Sequence, residues 1–237
     1  MAHQAGFDAI FVDLEHSTIG LDAASGLCAL ARSIGLVALV RVPVLQHQLA
    51  TRLLDGGADG VVYPRVSSVD EARAIVEACR FPPLGHRSVV GRGLNNFYAD
   101  VNLDEANRHG NAATACIAMV ETLEGVAEAT AIASTEGIDA LLVGASDLSS
   151  ELGVPGQTGH PKVVAAIDEV ARACQEHGTY LGVGGVAEGE QLARLTEAGA
   201  RLFVPGADHG FLMAALQGAA DRMRPAVRTC HPDDPAE

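Results

Sequence analysis

The sequence predicts an α/β fold in which parallel strands, buried on both faces, alternate with amphipathic helices. Short runs of almost purely apolar residues recur along the chain, as expected of strands that are covered on both sides. Helical patterns with an apolar stripe separate these runs, at roughly 25–35 residues per strand–helix unit. Together, the two patterns favour a parallel sheet with helices packed against it.

Seven of these runs are predicted to be strands, at about 8–13, 36–42, 59–64, 116–121, 138–144, 179–184 and 201–205. Gly57, Gly137 and Gly199 precede three of them, where a left-handed residue would end the preceding helix. The alternation predicts a (β/α)₈ barrel, with an open doubly wound sheet as the alternative. Since such a barrel has eight strands, we expect its first β-strand unit to lie upstream of this sequence. A truncated chain or a start codon assigned too late would explain this, and a genuinely open barrel is the third option.

Helix signals fill the intervals between the strands. Ser68-x-x-Glu71 is a capping-box pattern, and Pro161 suits the first turn of a helix that ends at Gly178. Residues 188–199 and 209–224 have the pattern of two further helices. Residues 81–115 and 149–159 show little periodicity and are expected to cover an active site. We expect one barrel domain over residues 1–226 and a disordered tail over residues 227–237.

Composition limits the possible functions. The net charge of −14 argues against nucleic acid and anionic membranes as partners. The five cysteines have no C-x-x-C spacing, no signal peptide is visible, and no apolar stretch is long enough to span a bilayer. These features favour a cytoplasmic protein. Lys162, the only lysine, stands at a predicted helix start, where it is badly placed for Schiff-base chemistry.

Several chemically active side chains are predicted to lie at one edge of the sheet. The carboxyl ends of parallel strands carry the active sites of α/β enzymes. The residues at those ends are Asp13, Glu15, His16, Arg41, Arg65, Glu121 and Asp147, with glycines at 184–185 and 206. Asp8, Asp59 and Asp139 begin their strands and are therefore expected to serve stability at the opposite edge.

Glu121 and Asp147 form a candidate metal site. Carboxylates without a cysteine or a cluster of histidines select Mg²⁺ or Mn²⁺ over zinc. The alternative is that both acids only cap helices or stand in a first helical turn. Arg41 needs an anionic partner, which could also be a structural acid, and His16 could be held by a neighbouring carboxylate. The glycine-rich strand ends could bind phosphate or simply allow close packing.

The motifs resemble those of the 4-hydroxy-2-oxoheptanedioate aldolase family, the HpcH/HpaI group. Residues 6–16 resemble its G-F-D-x-x-x-x-D-x-E-H segment. Further matches are Val40-Arg41-Val42-Pro43, Leu54-Asp55-Gly56-Gly57-Ala58, Tyr63-Pro64, Arg80-Phe81-Pro82-Pro83-Leu84-Gly85-His86-Arg87, Glu121-Thr122-Leu123-Glu124-Gly125 and Gly144-Ala145-Ser146-Asp147-Leu148-Ser149. They run in order from Gly6 to about Asp208. Met119 departs from the glutamine of many relatives, and the family's first strand and helix have no counterpart.

The resemblance implies a class II pyruvate aldolase on a (β/α)₈ barrel of the phosphoenolpyruvate/pyruvate type, commonly assembled as a hexamer. It implies that Glu121 and Asp147 hold Mg²⁺ or Mn²⁺, with Co²⁺ as a further candidate. By the same resemblance, Arg41 stabilises the C2 oxygen of pyruvate. His16, oriented by Asp13, assists proton transfer, and backbone amides near Ser146 and Asp147 hold the pyruvate carboxylate.

The predicted activity is reversible cleavage of a 4-hydroxy-2-oxo acid into pyruvate and an aldehyde, whose identity the sequence leaves open. A decarboxylase or carbon–carbon ligase acting on an oxaloacetate-derived enolate is a neighbouring alternative. A metal-independent phosphosugar isomerase or epimerase and a non-catalytic degenerate barrel are the other two.

Overall fold

The computed structural model describes residues 1–44, 46–90, 98–100, 102–186 and 189–230. The chain divides into two compact units, Met1–Val204 and Pro205–Glu237. The first unit contains the sheet and the charged strand-end residues, and the second contains one long helix.

In its described residues, the first unit has seven parallel strands that pair in sequence order. They are β1 Ala9–Asp13, β2 Val37–Arg41, β3 Gly60–Tyr63, β4 Ala115–Val120, β5 Ala140–Gly144, β6 Tyr180–Gly184 and β7 Ala200–Val204. Each lies within two residues of its predicted bounds. Sequential order belongs to a barrel-like sheet, because a doubly wound sheet must reverse its strand order. The doubly wound alternative is therefore wrong.

The sheet is a curled, TIM-barrel-like arrangement. Across the described residues, β1 and β7 are its two edges, since β1 pairs with β2 alone and β7 with β6 alone. The predicted upstream strand unit stays a prediction.

Helices connect the strands. They are α1 Leu21–Ser33, α2 His47–Asp55, α3 Val69–Cys79, α4 Leu103–Ala113, α5 Leu123–Ala127, α6 Ala129–Ala133, α7 Ala145–Glu151, α8 Pro161–His177 and α9 Gly189–Glu197, with a 3₁₀ turn at His3–Ala5. In the second unit, α10 covers Asp208–Cys230, so this helix extends into the segment 227–237 that was predicted to be a tail. None of the helices in the described part of the chain is both long and apolar enough to cross a membrane.

The predicted helix signals are mostly observed. Ser68 Oγ accepts a hydrogen bond from the Glu71 backbone N–H, as a capping box requires. The return bond differs, because the Glu71 carboxylate accepts from the N–H of Ser67 at 2.8 Å rather than from that of Ser68. Pro161 is the first residue of α8, and Gly178 ends it with φ of 71°.

Two segments expected to be irregular contain helices. α4 lies within residues 81–115, and α7 extends to Glu151, inside the loop predicted over residues 149–159. α4 escaped the sequence pattern because none of its residues is buried, so it has no apolar stripe. Asn102 caps it by accepting from the backbone N–H of Asp104 at 2.9 Å. Residues 91–97 and 101 of the first segment lie outside the described residues.

Alternating strand residues face two apolar layers. One layer fills the space between the sheet and the helices. The other lies on the opposite, inner side of the sheet and contains Leu39, Val62, Ile117, Met119, Ala140 and Leu142. The continuous apolar runs in the sequence follow from this burial on both faces.

The acids that begin strands serve stability, as predicted for Asp59 and Asp139. Asp59 Oδ2 accepts a hydrogen bond from the Ala38 N–H at 2.8 Å. Asp139 Oδ2 accepts from the Cys116 N–H at 2.6 Å and from Arg80 Nη2 at 2.5 Å. Each carboxylate thereby ties its strand to the start of a neighbouring strand. Lys162 is exposed on α8, in agreement with its predicted position outside the sheet.

Candidate active site

The carboxyl edge of the sheet brings together Asp13, Glu15, Arg41 and Glu121, as strand direction predicted. Asp13 ends β1 and Arg41 ends β2, and the parallel register places these two residues opposite each other. Glu121 follows β4 directly, while Asp147 stands in the first turn of α7, just after β5. The charges of Glu15, Arg41 and Asp147 all act on the carboxyl group of Glu121.

Arg41 is held by acids of the chain itself. Its Nε and Nη2 donate to the two oxygens of Asp13 at 2.9 and 2.6 Å, a bidentate pair. Glu15 Oε2 lies 3.2 Å from Arg41 Nη1. Although burial opposes the charged forms, these contacts lower the pKa of Asp13 and raise the pKa of Arg41. The structural-acid partner considered for Arg41 is therefore present, and it is Asp13.

Glu121 is the most confined acid of this cluster, with only 2% of its surface exposed. Its Oε1 accepts a hydrogen bond from the Arg65 backbone N–H at 2.9 Å. Its Oε2 is buried and has no hydrogen-bond partner within the described chain. A Cβ atom at Gly144 would lie 2.5 Å from this oxygen, so the glycine leaves the space that Oε2 uses.

The environment of Glu121 disfavours its negative charge. Burial raises its pKa to about 7, and the nearby charges of Asp147 and Glu15 act in the same direction. The Arg65 N–H and the Arg41 guanidinium oppose this rise without cancelling it. A cation beside Oε2 would relieve both the lost hydration and the repulsion between the acids.

The carboxylates of Glu121 and Asp147 are suitable ligands for a divalent metal ion that needs few protein ligands. Asp147 is exposed, and its charge acts on Glu121. The first-turn position considered for it is also observed, so the two interpretations of Asp147 are compatible. In the described ranges, no group of three or more His, Cys, Asp or Glu side chains could hold a metal ion. Mg²⁺ commonly binds through one or two carboxylates and keeps several waters, so two acids are sufficient for it.

Ser146 and its neighbours have a defined backbone position. Ser149 Oγ donates to the Ser146 carbonyl oxygen at 2.6 Å and accepts from the Gly156 N–H at 2.9 Å. Gly185, with φ of 81°, approaches Ser146 so closely that a Cβ atom there would lie 3.0 Å from Ser146 Oγ. At Gly182, a Cβ atom would lie 3.0 Å from Leu142 Cδ1. These approaches support close packing as the reason for Gly182 and Gly185.

His16 lies at the exposed side of the cluster, with 68% of its side chain accessible. Its backbone N–H donates to Asp13 Oδ1 at 3.4 Å. Its ring Nε2 lies 3.8 Å from Glu15 Oε2. Asp13 thus holds the backbone of His16, and the carboxylate beside the imidazole is that of Glu15.

Sequence reasoning placed Glu15 at this edge without naming its contact with Arg41 and gave Gly144 no role, although both residues shape the site. Glu15 Oε2 is buried and forms no hydrogen bond with the described residues. It nevertheless lies 3.2 Å from Arg41 Nη1, as an ion pair. Its signal was its place two residues after Asp13 at a strand end. Gly144 makes room for Glu121, and its signal was a glycine that closes an apolar strand just before a candidate ligand.

A cavity of about 500 Å³ lies at the opposite edge of the sheet, near the start of β3 and α4. Its lining includes Arg87, whose Nη2 already donates to Asp55 Oδ1 at 2.6 Å and whose guanidinium stacks on Phe81. It is distant in the fold from Glu121 and Asp147, because it lies at the amino ends of the strands.

A TIM-barrel-like sheet with carboxylates and an arginine at its carboxyl edge is the architecture of a barrel enzyme. Residues 1–215 match the HpcH/HpaI aldolase/citrate lyase family model, and the chain belongs to this family. The predicted resemblance is confirmed, and family membership supports lyase activity.

Relatives of known name agree with this assignment. A 4-hydroxy-4-methyl-2-oxoglutarate aldolase from Hapsidospora irregularis is 38% identical over 197 residues, which cover 81% of this chain and 72% of the relative. A hydroxypyruvate/pyruvate aldolase from Pseudomonas aeruginosa is 34% identical over 226 residues, 94% of this chain and 83% of the relative.

Solved structures share the fold. An HpcH/HpaI aldolase from Desulfitobacterium hafniense superposes with a TM-score of 0.86 at 31% identity, covering 99% of this chain and 87% of that one. The citrate synthase SbnG superposes with a TM-score of 0.84 at 28% identity, covering 94% and 86%.

Proposed function

We propose that this chain is a divalent-metal-dependent aldolase that reversibly cleaves a 4-hydroxy-2-oxo acid into pyruvate and an aldehyde. The observation that carries the proposal is Oε2 of Glu121, which is buried and has no hydrogen-bond partner among the described residues. It lies close to Asp147 at the carboxyl edge of the sheet. A carboxylate in this state is suited to bind a cation. Membership in an aldolase family supports the reaction class.

Glu121 and Asp147 would hold Mg²⁺ or Mn²⁺, with Co²⁺ as a further candidate. Bound there, the ion would act as a Lewis acid that stabilises the negative charge developing on the substrate during C–C cleavage. In cleavage, the 4-hydroxyl group loses its proton, the C3–C4 bond breaks, and its electron pair forms the pyruvate enolate. A proton added at C3 then gives pyruvate.

The remaining residues of the cluster have complementary roles in this proposal. Arg41 supplies positive charge to the C2 oxygen, and its bidentate pair with Asp13 keeps the guanidinium in one orientation. Backbone N–H groups at Ser146 and Asp147 bind the pyruvate carboxylate. His16 is exposed to the incoming substrate and transfers the proton, with Glu15 beside its ring.

The test is pyruvate release from 4-hydroxy-2-oxo acids with Mg²⁺ or Mn²⁺ and with EDTA. We expect EDTA to abolish activity, and Glu121→Gln and Asp147→Asn each to lower kcat at least about 100-fold. Asp70→Asn, at an exposed acid of α3, is the matched control and should retain activity. Full activity in EDTA would contradict the proposal. Phosphate protection without a metal requirement would favour the isomerase alternative.

A second candidate is a carbon–carbon ligase or decarboxylase that acts on an oxaloacetate-derived enolate. The likeness to the citrate synthase SbnG favours it, since the same acids and arginine would stabilise that enolate. CO₂ release from oxaloacetate that is faster than cleavage of any 4-hydroxy-2-oxo acid would select this candidate.

We also propose a cytoplasmic homo-oligomer, with the hexamer implied by family resemblance. Light scattering of the purified chain measures its mass and tests this assembly.

A further inference from the structure

Arg65 has an unusual backbone conformation beside the candidate metal site. It stands two residues after β3 and has φ of 53°, in the left-handed region that residues other than glycine rarely adopt. In this conformation its N–H donates to Glu121 Oε1 at 2.9 Å. Backbone strain of this kind is often kept at functional sites. The strain here fixes the acid that would bind the metal.

The side chain of Arg65 extends towards the helix that carries the other acid. Its Nη2 lies 3.9 Å from Glu151 Oε1 at the end of α7, the helix whose first turn contains Asp147. The Arg65 side chain is 49% exposed and that of Glu151 is 39% exposed. A pair this long and this exposed contributes little stability. The guanidinium can therefore exchange Glu151 for another carboxylate at little cost.

The charge of the cluster defines what Arg65 could bind. Arg41 is already engaged by Asp13 and Glu15, while Oε2 of Glu121 has no hydrogen-bond partner in the described part of the chain. A substrate with a second carboxylate, besides that of its 2-oxo acid, would add negative charge to this acidic edge. Arg65 offers a planar, half-exposed donor fork near Glu151, at the end of the helix whose first turn contains Asp147, and such a fork matches a carboxylate in bidentate geometry.

We propose that Arg65 binds a carboxylate on the aldehyde or ketone half of the substrate. The preferred substrates are then 4-hydroxy-2-oxo acids that carry a second carboxylate on the C4 side. This inference rests on the proposed aldolase function and adds to it the residue that recognises the second carboxylate.

The experiment compares kcat/KM for cleavage of 4-hydroxy-2-oxoglutarate, which releases a carboxylate-bearing aldehyde, with that of 4-hydroxy-2-oxopentanoate, which releases a neutral one. We expect the wild-type chain to prefer the first substrate. Arg65→Met should lower the ratio of the two kcat/KM values by roughly ten- to a hundred-fold, mainly through KM of the dicarboxylate. Arg65→Lys should lower it less, because an ammonium keeps the charge but not the fork.

Both variants keep the backbone N–H that binds Glu121, so they alter the side chain alone. Arg73→Met removes an exposed arginine of α3 and is the matched control, with an unchanged ratio expected. An equal loss for both substrates in Arg65→Met and Arg65→Lys would show a structural role and overturn the inference. An unchanged ratio would overturn it as well.

Hydrogen–deuterium exchange at C3 of pyruvate separates this inference from the proposed function, because exchange requires the enolate and no aldehyde. A wild-type chain that exchanges with Mn²⁺, but whose substrate ratio does not respond to Arg65→Met, refutes only the inference. A wild-type chain that neither exchanges nor cleaves refutes the proposed function and the inference together.

Discussion

Replacing Glu121 by glutamine changes the free energy of unfolding of the metal-free protein in a pH-dependent way. Relative to wild type, the variant should gain stability between pH 5 and pH 8. The pKa of Glu121 rises from an ordinary 4.5 to about 7, mainly through burial and then through the charge of Asp147. A tenfold change in proton affinity is worth about 1.36 kcal/mol. The rise in pKa therefore means that the folded state favours the protonated over the ionised carboxyl group by about 3 kcal/mol more than the unfolded state does.

The sign follows from proton binding. Between pH 4.5 and 7 the folded chain holds a proton on Glu121 that the unfolded chain has lost. The free energy of unfolding therefore falls as pH rises through this window, by about 2.5 kcal/mol between pH 5 and 8. Glutamine is neutral throughout and still offers an oxygen to the Arg65 N–H. Any cost of its buried amide group is equal at both pH values and cancels in the comparison.

The assay is urea unfolding of wild type and Glu121→Gln in EDTA at pH 5 and pH 8. We expect the difference in the free energy of unfolding between the two proteins to change by about 2.5 kcal/mol between pH 5 and pH 8, in favour of the variant at pH 8. For a chain of this size that corresponds to about 5–10 °C in Tm. Glu124→Gln, at an exposed acid of α5, is the control and should show no such shift.

Adding Mn²⁺ at pH 8 should restore the stability of wild type and leave Glu121→Gln unchanged, since a ligand that binds the folded state stabilises it. If the free energies of unfolding of wild type and Glu121→Gln differed by the same amount at pH 5 and pH 8, the pKa of Glu121 would not be raised by its surroundings. The reasoning about its environment would then be refuted.

Two further changes test the packing around the site and the opposite edge of the sheet. Gly144→Ala should weaken Mn²⁺ binding at least about tenfold in calorimetry, because its Cβ atom would lie 2.5 Å from Glu121 Oε2. The control is Gly26→Ala, since a Cβ atom at Gly26 meets nothing within 4 Å. Equal affinity in both glycine variants would contradict that contact. Arg80→Met should lower the free energy of unfolding by about 1–3 kcal/mol, because the carbonyl oxygens of Gly137 and Thr114 lose their buried donor, whereas the Asp139 side chain is 40% exposed and regains water. A loss below about 1 kcal/mol in urea unfolding would show that these hydrogen bonds are not structural.

The strands were predictable because burial on both faces leaves a continuous apolar run in the sequence. All seven predicted strands form, and their sequential order excludes the doubly wound alternative. α4 was not predictable from periodicity, because it buries none of its residues. Its N-terminal cap at Asn102 was a local signal, but a cap without an apolar stripe does not predict a helix.

The candidate site was predictable in its location and only partly in its contacts. Strand direction placed Asp13, Arg41 and Glu121 at one edge, because parallel strands end together. The partner of Arg41 stayed open, since the register between β1 and β2 depends on packing and cannot be deduced from either strand alone. Asp147 lies in the first turn of α7, just after β5, which is a position that the sequence had left open beside metal binding.

The sequence by itself determined the order of strands and helices, the edge that carries the reactive side chains, and the family. These properties are local, because an apolar run, a cap or a motif is written in consecutive residues. The tertiary structure alone decided which charges are paired. Asp13 is neutralised by Arg41, which lies on the next strand, whereas one oxygen of Glu121 has no hydrogen-bond partner among the residues that the structure describes. The state of Glu121 depends on Arg65 and Gly144, which are far from it in sequence, and on a burial that only the folded chain creates.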